Sequence, residues 1–67
     1  MKIILNNRPE TFDADPLSIR QILTIKNFTF KMLVIKVNGK LIRQPEYEST
    51  FVNEGDDVMI LHLISGG

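Results

Sequence analysis

Chemistry in this 67-residue sequence has few places to reside: one histidine, one short acidic cluster, and a closing pair of glycines. His62 stands inside a strand-like run, Val58 to Ile64. A general base needs a cleft and a partner, and no Ser–His–Asp grouping follows from the spacing, so His62 reads as an ordinary strand side chain. Glu54, Asp56 and Asp57 suggest a cation site, but Gly-Asp ahead of a strand is common turn chemistry and the spacing of a calcium loop is missing. Neither GxGxxG nor GxxxxGK[ST] occurs, which removes the dinucleotide and P-loop readings. With no cysteine, disulfides, Cys-ligated zinc, iron–sulfur clusters and thiol redox chemistry are excluded. Eight Lys+Arg balance eight Asp+Glu, and the lysines are scattered, so nucleic acid is not an expected partner. No apolar run approaches the roughly 18 residues of a membrane span. Met1-Lys2 leads directly into a strand-like run with no cleavage site, so no signal peptide is expected, and the expected location is cytoplasmic. No catalytic residue, metal ligand or bound cofactor is assigned.

The closing Ser65-Gly66-Gly67 is different. Glycine makes up about 7% of residues, so a closing pair arises by chance about once in 200 sequences. A frayed end is the plainer explanation. Against it, the pair follows a strand of central character and is expected to project from a rigid body as a flexible arm. Two residues without side chains can thread a narrow channel and carry a main-chain carboxylate to another protein's catalytic groups. A free carboxylate is a poor electrophile. Conversion to a mixed anhydride, usually with ATP, would let a sulfur or nitrogen nucleophile attack. The reacting atom would then belong to Gly67 rather than to a side chain.

A chain of this length builds one core. Lys2-Ile3-Ile4-Leu5 reads as a strand, Asn6-Asn7-Arg8 as a turn, and Pro9 to Ala14 as a second strand, at a sheet edge because proline lacks a ladder donor. Ser18-Ile19-Arg20-Gln21 matches a capping box, with Asp15-Pro16 as the competing helix start. Ile19, Ile22, Leu23 and Lys26 recur at helical spacing over two to three turns. Lys31 to Val37 is the third strand, and Asn38-Gly39 is the strongest hairpin signal, returning through Lys40-Leu41-Ile42. Gln44 to Thr50 is irregular around Pro45, with Tyr47 at the core edge. Glu54 to Asp57 is a turn, and Val58 to Ile64 is the last strand. One helix covers only one face of such a sheet. Val58 and Ile60 are assigned to the helix side, which leaves Met59, Leu61 and Leu63 on the open side near Ile4 and Val34, as a partner-docking patch. A parity error of one residue would instead make that set core.

In this order and length, the motifs resemble the ubiquitin-like β-grasp sulfur carriers, and most closely the ThiS family of thiamine biosynthesis. The resemblance spans the chain. It rests on Lys2-Ile3-Ile4-Leu5-Asn6, Ser18-Ile19-Arg20-Gln21-Ile22-Leu23, Val34-Ile35-Lys36-Val37-Asn38-Gly39 with Pro45 and Tyr47, Phe51-Val52-Asn53-Glu54-Gly55-Asp56-Asp57-Val58, and Gly66-Gly67. It implies an α+β, ubiquitin-like β-grasp fold: a mixed four- to five-stranded sheet with one short helix on one face, formed by residues 1–64, and a tail of residues 65–67. It further implies that a ThiF-like adenylating enzyme consumes ATP to activate Gly67. Sulfur from cysteine, carried as a desulfurase persulfide, then gives a thiocarboxylate, which supplies thiazole synthase. Gly66 is the flexible neighbour, and Ser65 stands where relatives often have another small residue. Such a chain is a protein cosubstrate and not an enzyme. Asn7 departs from the glutamine or acidic residue of some relatives. The stretch Lys26 to Lys31 is unfamiliar; Phe28 and Phe30 there either plug the core beneath the helix, the favoured reading, or widen the docking surface. Carriers for molybdopterin or tRNA thiolation share the fold and ending. A ubiquitin-like modifier or interaction module is the alternative from another class.

Overall fold

Alternation builds the first strand. In β1 (Lys2–Leu5), Ile3 and Leu5 are buried while Lys2 and Ile4 face outward. The turn that follows has positive φ at both Asn6 (52°) and Asn7 (67°), the backbone of a type I′ hairpin, which asparagine tolerates. Leu5 therefore pairs directly with Arg8, and β2 is Arg8–Thr11, not the expected Pro9 to Ala14. The two-residue turn recruits Arg8 into the strand. At the other end the ladder stops where β1 stops, with the Phe12 N–H donating to the Met1 carbonyl at 2.8 Å. The structure, a computed structural model, describes residues 1–29 and 32–63; the expectations for Phe30, Lys31 and residues 64–67 lie outside those described.

The helix α1 (Ile19–Ile25) starts at the capping box and not at Asp15-Pro16. Ser18 Oγ accepts the Gln21 N–H at 3.1 Å, and Gln21 Oε1 accepts the Ser18 N–H at 2.8 Å. The Ile19 and Arg20 N–H groups donate to the carbonyls of Thr50 and Tyr47, so the open donors of the first turn are all spent. The helix stops at an asparagine. Asn27 takes a left-handed φ of 59°, its N–H donates to Thr24 O, and the Phe28 N–H reaches back to Leu23 O at 2.8 Å. This Schellman motif turns Phe28 onto the core, where it is partly buried. Lys26 Nζ lies 3.1 Å from Glu10 Oε1 and ties this end of the helix to β2.

β4 (Leu33–Val37) and β5 (Lys40–Ile42) form the expected hairpin, with Asn38 at φ 50° and Gly39 at φ 82°. A 3₁₀ turn (Gln44–Glu46) follows and delivers Tyr47 into the core rather than to its edge. β7 is Asp57–His62. It lies parallel to β1 and antiparallel to β4, in a five-stranded sheet ordered β2-β1-β7-β4-β5. Pro9 thus sits on an edge strand, where its missing donor costs no ladder bond. A two-residue pairing of β3 (Leu17–Ser18) with β6 (Phe51–Val52) was not foreseen; no alternation is legible in so short a pair. It packs with α1 on the same side of the sheet. The core between them holds Ile3, Ile22, Ile35, Val52 and Val58, all essentially inaccessible.

Candidate functional site: the open face of the sheet

β7 carries the chain towards its glycines, and two asparagine side chains clamp it. Asn38, at the end of β4, accepts the Asp57 N–H on Oδ1 at 2.9 Å. Asn6, just past β1, accepts the Ile60 N–H on Oδ1 (2.8 Å) and donates from Nδ2 to the Ile60 carbonyl (3.0 Å). The Asn6 amide thereby acts as one more peptide unit of β1, holding the parallel ladder two residues beyond Val58. By its sequence context Asn6 is a turn residue only; the bonds to Ile60 come from the packing of β7 against β1. Asn6→Ala is expected to destabilise the fold by about 2–3 kcal/mol, from two lost bonds to partly buried backbone groups and a β-carbon in left-handed backbone without a local bond. Asn6→Gly removes the strain but not the loss of bonds, so in urea unfolding its midpoint should fall between Asn6→Ala and the parent.

The acidic turn is structural in the same sense. Asp56 Oδ2 accepts the Asn53 N–H at 2.8 Å, Asp56 Oδ1 accepts Asn38 Nδ2 at 3.2 Å, and Glu54 Oε1 accepts the Lys2 N–H at 2.9 Å. Gly55 completes the turn at φ 85°. His62 is exposed at the end of β7.

Residues paired across strands share a face, so the register sorts the side chains. Val58 and Ile60 point at the helix and are buried. Asp57, Met59 and Leu61 point the other way. Met59 pairs with Lys36, and Lys36 in turn with Leu41; Leu61 pairs with Val34. The Leu63 N–H donates to the Met32 carbonyl at 2.9 Å, which extends the ladder past β7. Of the patch read from sequence, Leu61 (47% exposed), Leu63 (45%) and Ile4 (38%) are open, while Val34 and Met59 are half-buried. Val34, Met59, Leu61 and Leu63 come together; Ile4 lies across β7, beside Asp57. Leu41 (46% exposed) and Met32 (51%) enlarge the set. Leu41 was legible, since an Asn-Gly hairpin pairs 37 with 40 and therefore 36 with 41. A shallow groove of about 340 Å³ runs along this end of the sheet, lined by Met32, Val34, Leu41, Arg43 and Leu63 among others. Helix α1 and the β3–β6 pair pack on the opposite face, and the 3₁₀ turn reaches the groove only at its edge through Gln44 and Tyr47, so apolar area of a kind that marks interaction surfaces stays uncovered. No helix among the described residues is long and apolar enough to cross a membrane. Ser65, Gly66 and Gly67 lie outside the described residues.

The family model described as the ThiS family matches residues 3–67, through both closing glycines. The chain belongs to the ThiS family. The crystal structure of the thiamine biosynthesis protein ThiS from Geobacter metallireducens superposes with a TM-score of 0.88 at 26% identity, covering all of both chains. The solution structure of a thiamine biosynthesis protein from the same organism gives 0.81 at 26% identity, over all of this chain and 88% of the other. An uncharacterized protein, ycf40, of Porphyra purpurea is 30% identical over 54 residues, 81% of this chain and 76% of the relative. The mixed five-stranded sheet with its single helix is thus the ubiquitin-like β-grasp of the ThiS family.

Proposed function

We propose that this chain is a sulfur carrier and not an enzyme, and that its reacting group is the carboxylate of Gly67. A ThiF-like adenylating enzyme joins that carboxylate to AMP from ATP and releases pyrophosphate. A persulfide sulfur, drawn from cysteine by a desulfurase, attacks the acyl carbon and displaces AMP. Thiol cleavage of the resulting S–S bond leaves the thiocarboxylate, which donates its sulfur to thiazole formation on thiazole synthase. The observation that carries this reading is the family match over residues 3–67, a range that takes in Gly66 and Gly67. The open apolar face supports it, because a carrier must be held by its enzymes through its body while its end is worked on. ATP belongs to the adenylating enzyme; no cofactor is assigned to this chain.

The test is incubation with ATP, the adenylating enzyme and a sulfur donor, followed by intact-mass measurement. A carrier gains the mass of one oxygen exchanged for sulfur. A ubiquitin-like modifier gives isopeptide-linked conjugates instead, and a plain interaction module gives neither. Transfer of the sulfur to a molybdopterin precursor or to tRNA, but not to thiazole synthase, would redirect the pathway and leave the carrier role intact. Leu61→Glu is expected to weaken binding to the adenylating enzyme by tenfold or more, roughly the scale of a moderate interface anchor. The same change should move stability by less than about 1 kcal/mol, since the side chain is half in water already. Thermal melts alongside binding titrations check both halves.

A further inference from the structure

We infer that the open face is read by charge as well as by apolar contact: Lys36 and Arg43 select a partner whose apolar docking surface is bordered by carboxylates. This rests on the carrier reading and deepens it by specifying how the activating enzyme must be built where it seats the sheet.

The chain as a whole is neutral, with eight cationic and eight acidic side chains. The register distributes them unevenly. Along β1, β7, β4 and β5, the open face carries Lys2 and Lys36 against Asp57 as its carboxylate. The β4–β5 pairing, carried one residue past Ile42, sets Arg43 opposite Val34, and Arg43 lines the groove. Several carboxylates elsewhere are engaged: Glu10 with Lys26, Glu54 with the Lys2 backbone N–H, Asp56 with the Asn53 N–H and the Asn38 side chain, and Glu46 with the Arg43 backbone N–H. Neither Lys36 nor Arg43 forms an ion pair among the described residues, and both are exposed.

Lys36 stands between Met59 and Leu41 on the neighbouring strands, with Val34 two residues before it on the same face. A wholly apolar partner laid over this face would strip water from two cations and return nothing, which is costly. A partner that buries the face must bring acceptors to those two points. Carboxylates fit best, and the guanidinium of Arg43 can take one with two parallel bonds. Reach sets a second condition on that partner. Gly67 follows Leu63 by four residues, so it reaches at most about 14 Å from the end of the groove at 3.3–3.6 Å per residue. A protein seated on the groove can therefore bring its catalytic groups to the Gly67 carboxylate, as the adenylating enzyme of the carrier reading must.

The experiment titrates the full chain against the ThiF-like adenylating enzyme with ATP, at low and high salt, and follows binding and pyrophosphate release. The double variant Lys36→Glu/Arg43→Glu should raise the Kd by about tenfold or more, the lower end of what electrostatic steering supplies, and should lose the salt dependence of the parent. Lys36→Gln/Arg43→Gln should fall between, and Lys36→Arg, which keeps the charge, should bind nearly as the parent does. At saturating enzyme each should be adenylated at the parental rate, an effect on KM and not on kcat. Lys40→Glu, at the hairpin turn and on the other face, should behave as the parent. Parental Kd and salt slope in the folded Gln pair would overturn this inference alone, as would an equal loss in Lys40→Glu. A parent chain that the enzyme neither binds nor adenylates would overturn the carrier reading and this inference with it.

Discussion

Removal of Gly67 is expected to abolish sulfur loading while leaving the fold as stable as before. The shortened chain still ends in a glycine carboxylate, but that carboxylate is one residue, about 3.5 Å, short of its place. Misplacement of a reacting atom by even about 1 Å can cost a hundredfold, so adenylate-dependent pyrophosphate exchange should fall by at least that factor. Stability should not follow. The core side chains run from Ile3 to Ile60, and none of them is touched, so the melting temperature should shift by no more than about 1–2 °C. Retained exchange in the shortened chain would mean that the reacting carboxyl belongs to some other residue. A large drop in melting temperature would mean that Gly67 contributes to the folded body.

Ile35→Ala should have the opposite signature. Ile35 lies in the middle of β4, paired with Ile42 on one side and Ile60 on the other, and is 0% exposed in the core. Truncating a buried isoleucine to alanine costs about 2–5 kcal/mol, part transfer and part residual cavity. A domain of this size has a total stability of about 3–10 kcal/mol at 0.05–0.15 kcal/mol per residue. The variant should therefore lose at least about a fifth of its stability, and at the larger cost most of it, so its urea midpoint should fall well below that of the parent. Ile35→Val, which removes one methyl group, should cost only about 1 kcal/mol. Urea titrations of the pair give the comparison directly. Partner binding by the folded fraction should be unchanged, because Ile35 faces away from the open side. Loading of Ile35→Ala should then track its folded fraction and recover on cooling.

The features legible in the sequence share one property: their partners lie within a few residues of one another. The Ser18–Gln21 capping box, the Asn38-Gly39 hairpin and the inside–outside alternation of β1 each follow from bonds or side-chain directions that a short stretch settles alone. Alternation in β7 likewise separates Val58 and Ile60 from Met59 and Leu61, which is why the outline of the open patch was readable. The Asn27 stop was equally local and was overlooked, because asparagine after a lysine is a weaker mark than glycine. The end of β2 at Thr11 was not readable from β2 itself, since a strand lasts only as long as its neighbour does.

What the sequence determined by itself is the helix, the five strands of the larger sheet, the face each of those strands turns inward, and the glycines at positions 66 and 67. Only the tertiary structure decided that β7 lies between β1 and β4, that Asn6 reaches 54 positions along the chain to bond Ile60, that β3 meets β6, and that Lys36 and Arg43 share a face with Leu41 and Leu61. The physical reason is that strand pairing is a contest among all edges of the chain, settled by the total burial of the assembled core. No single stretch carries that sum, so the positions of its charges and clamps emerge only when every strand has found its neighbour.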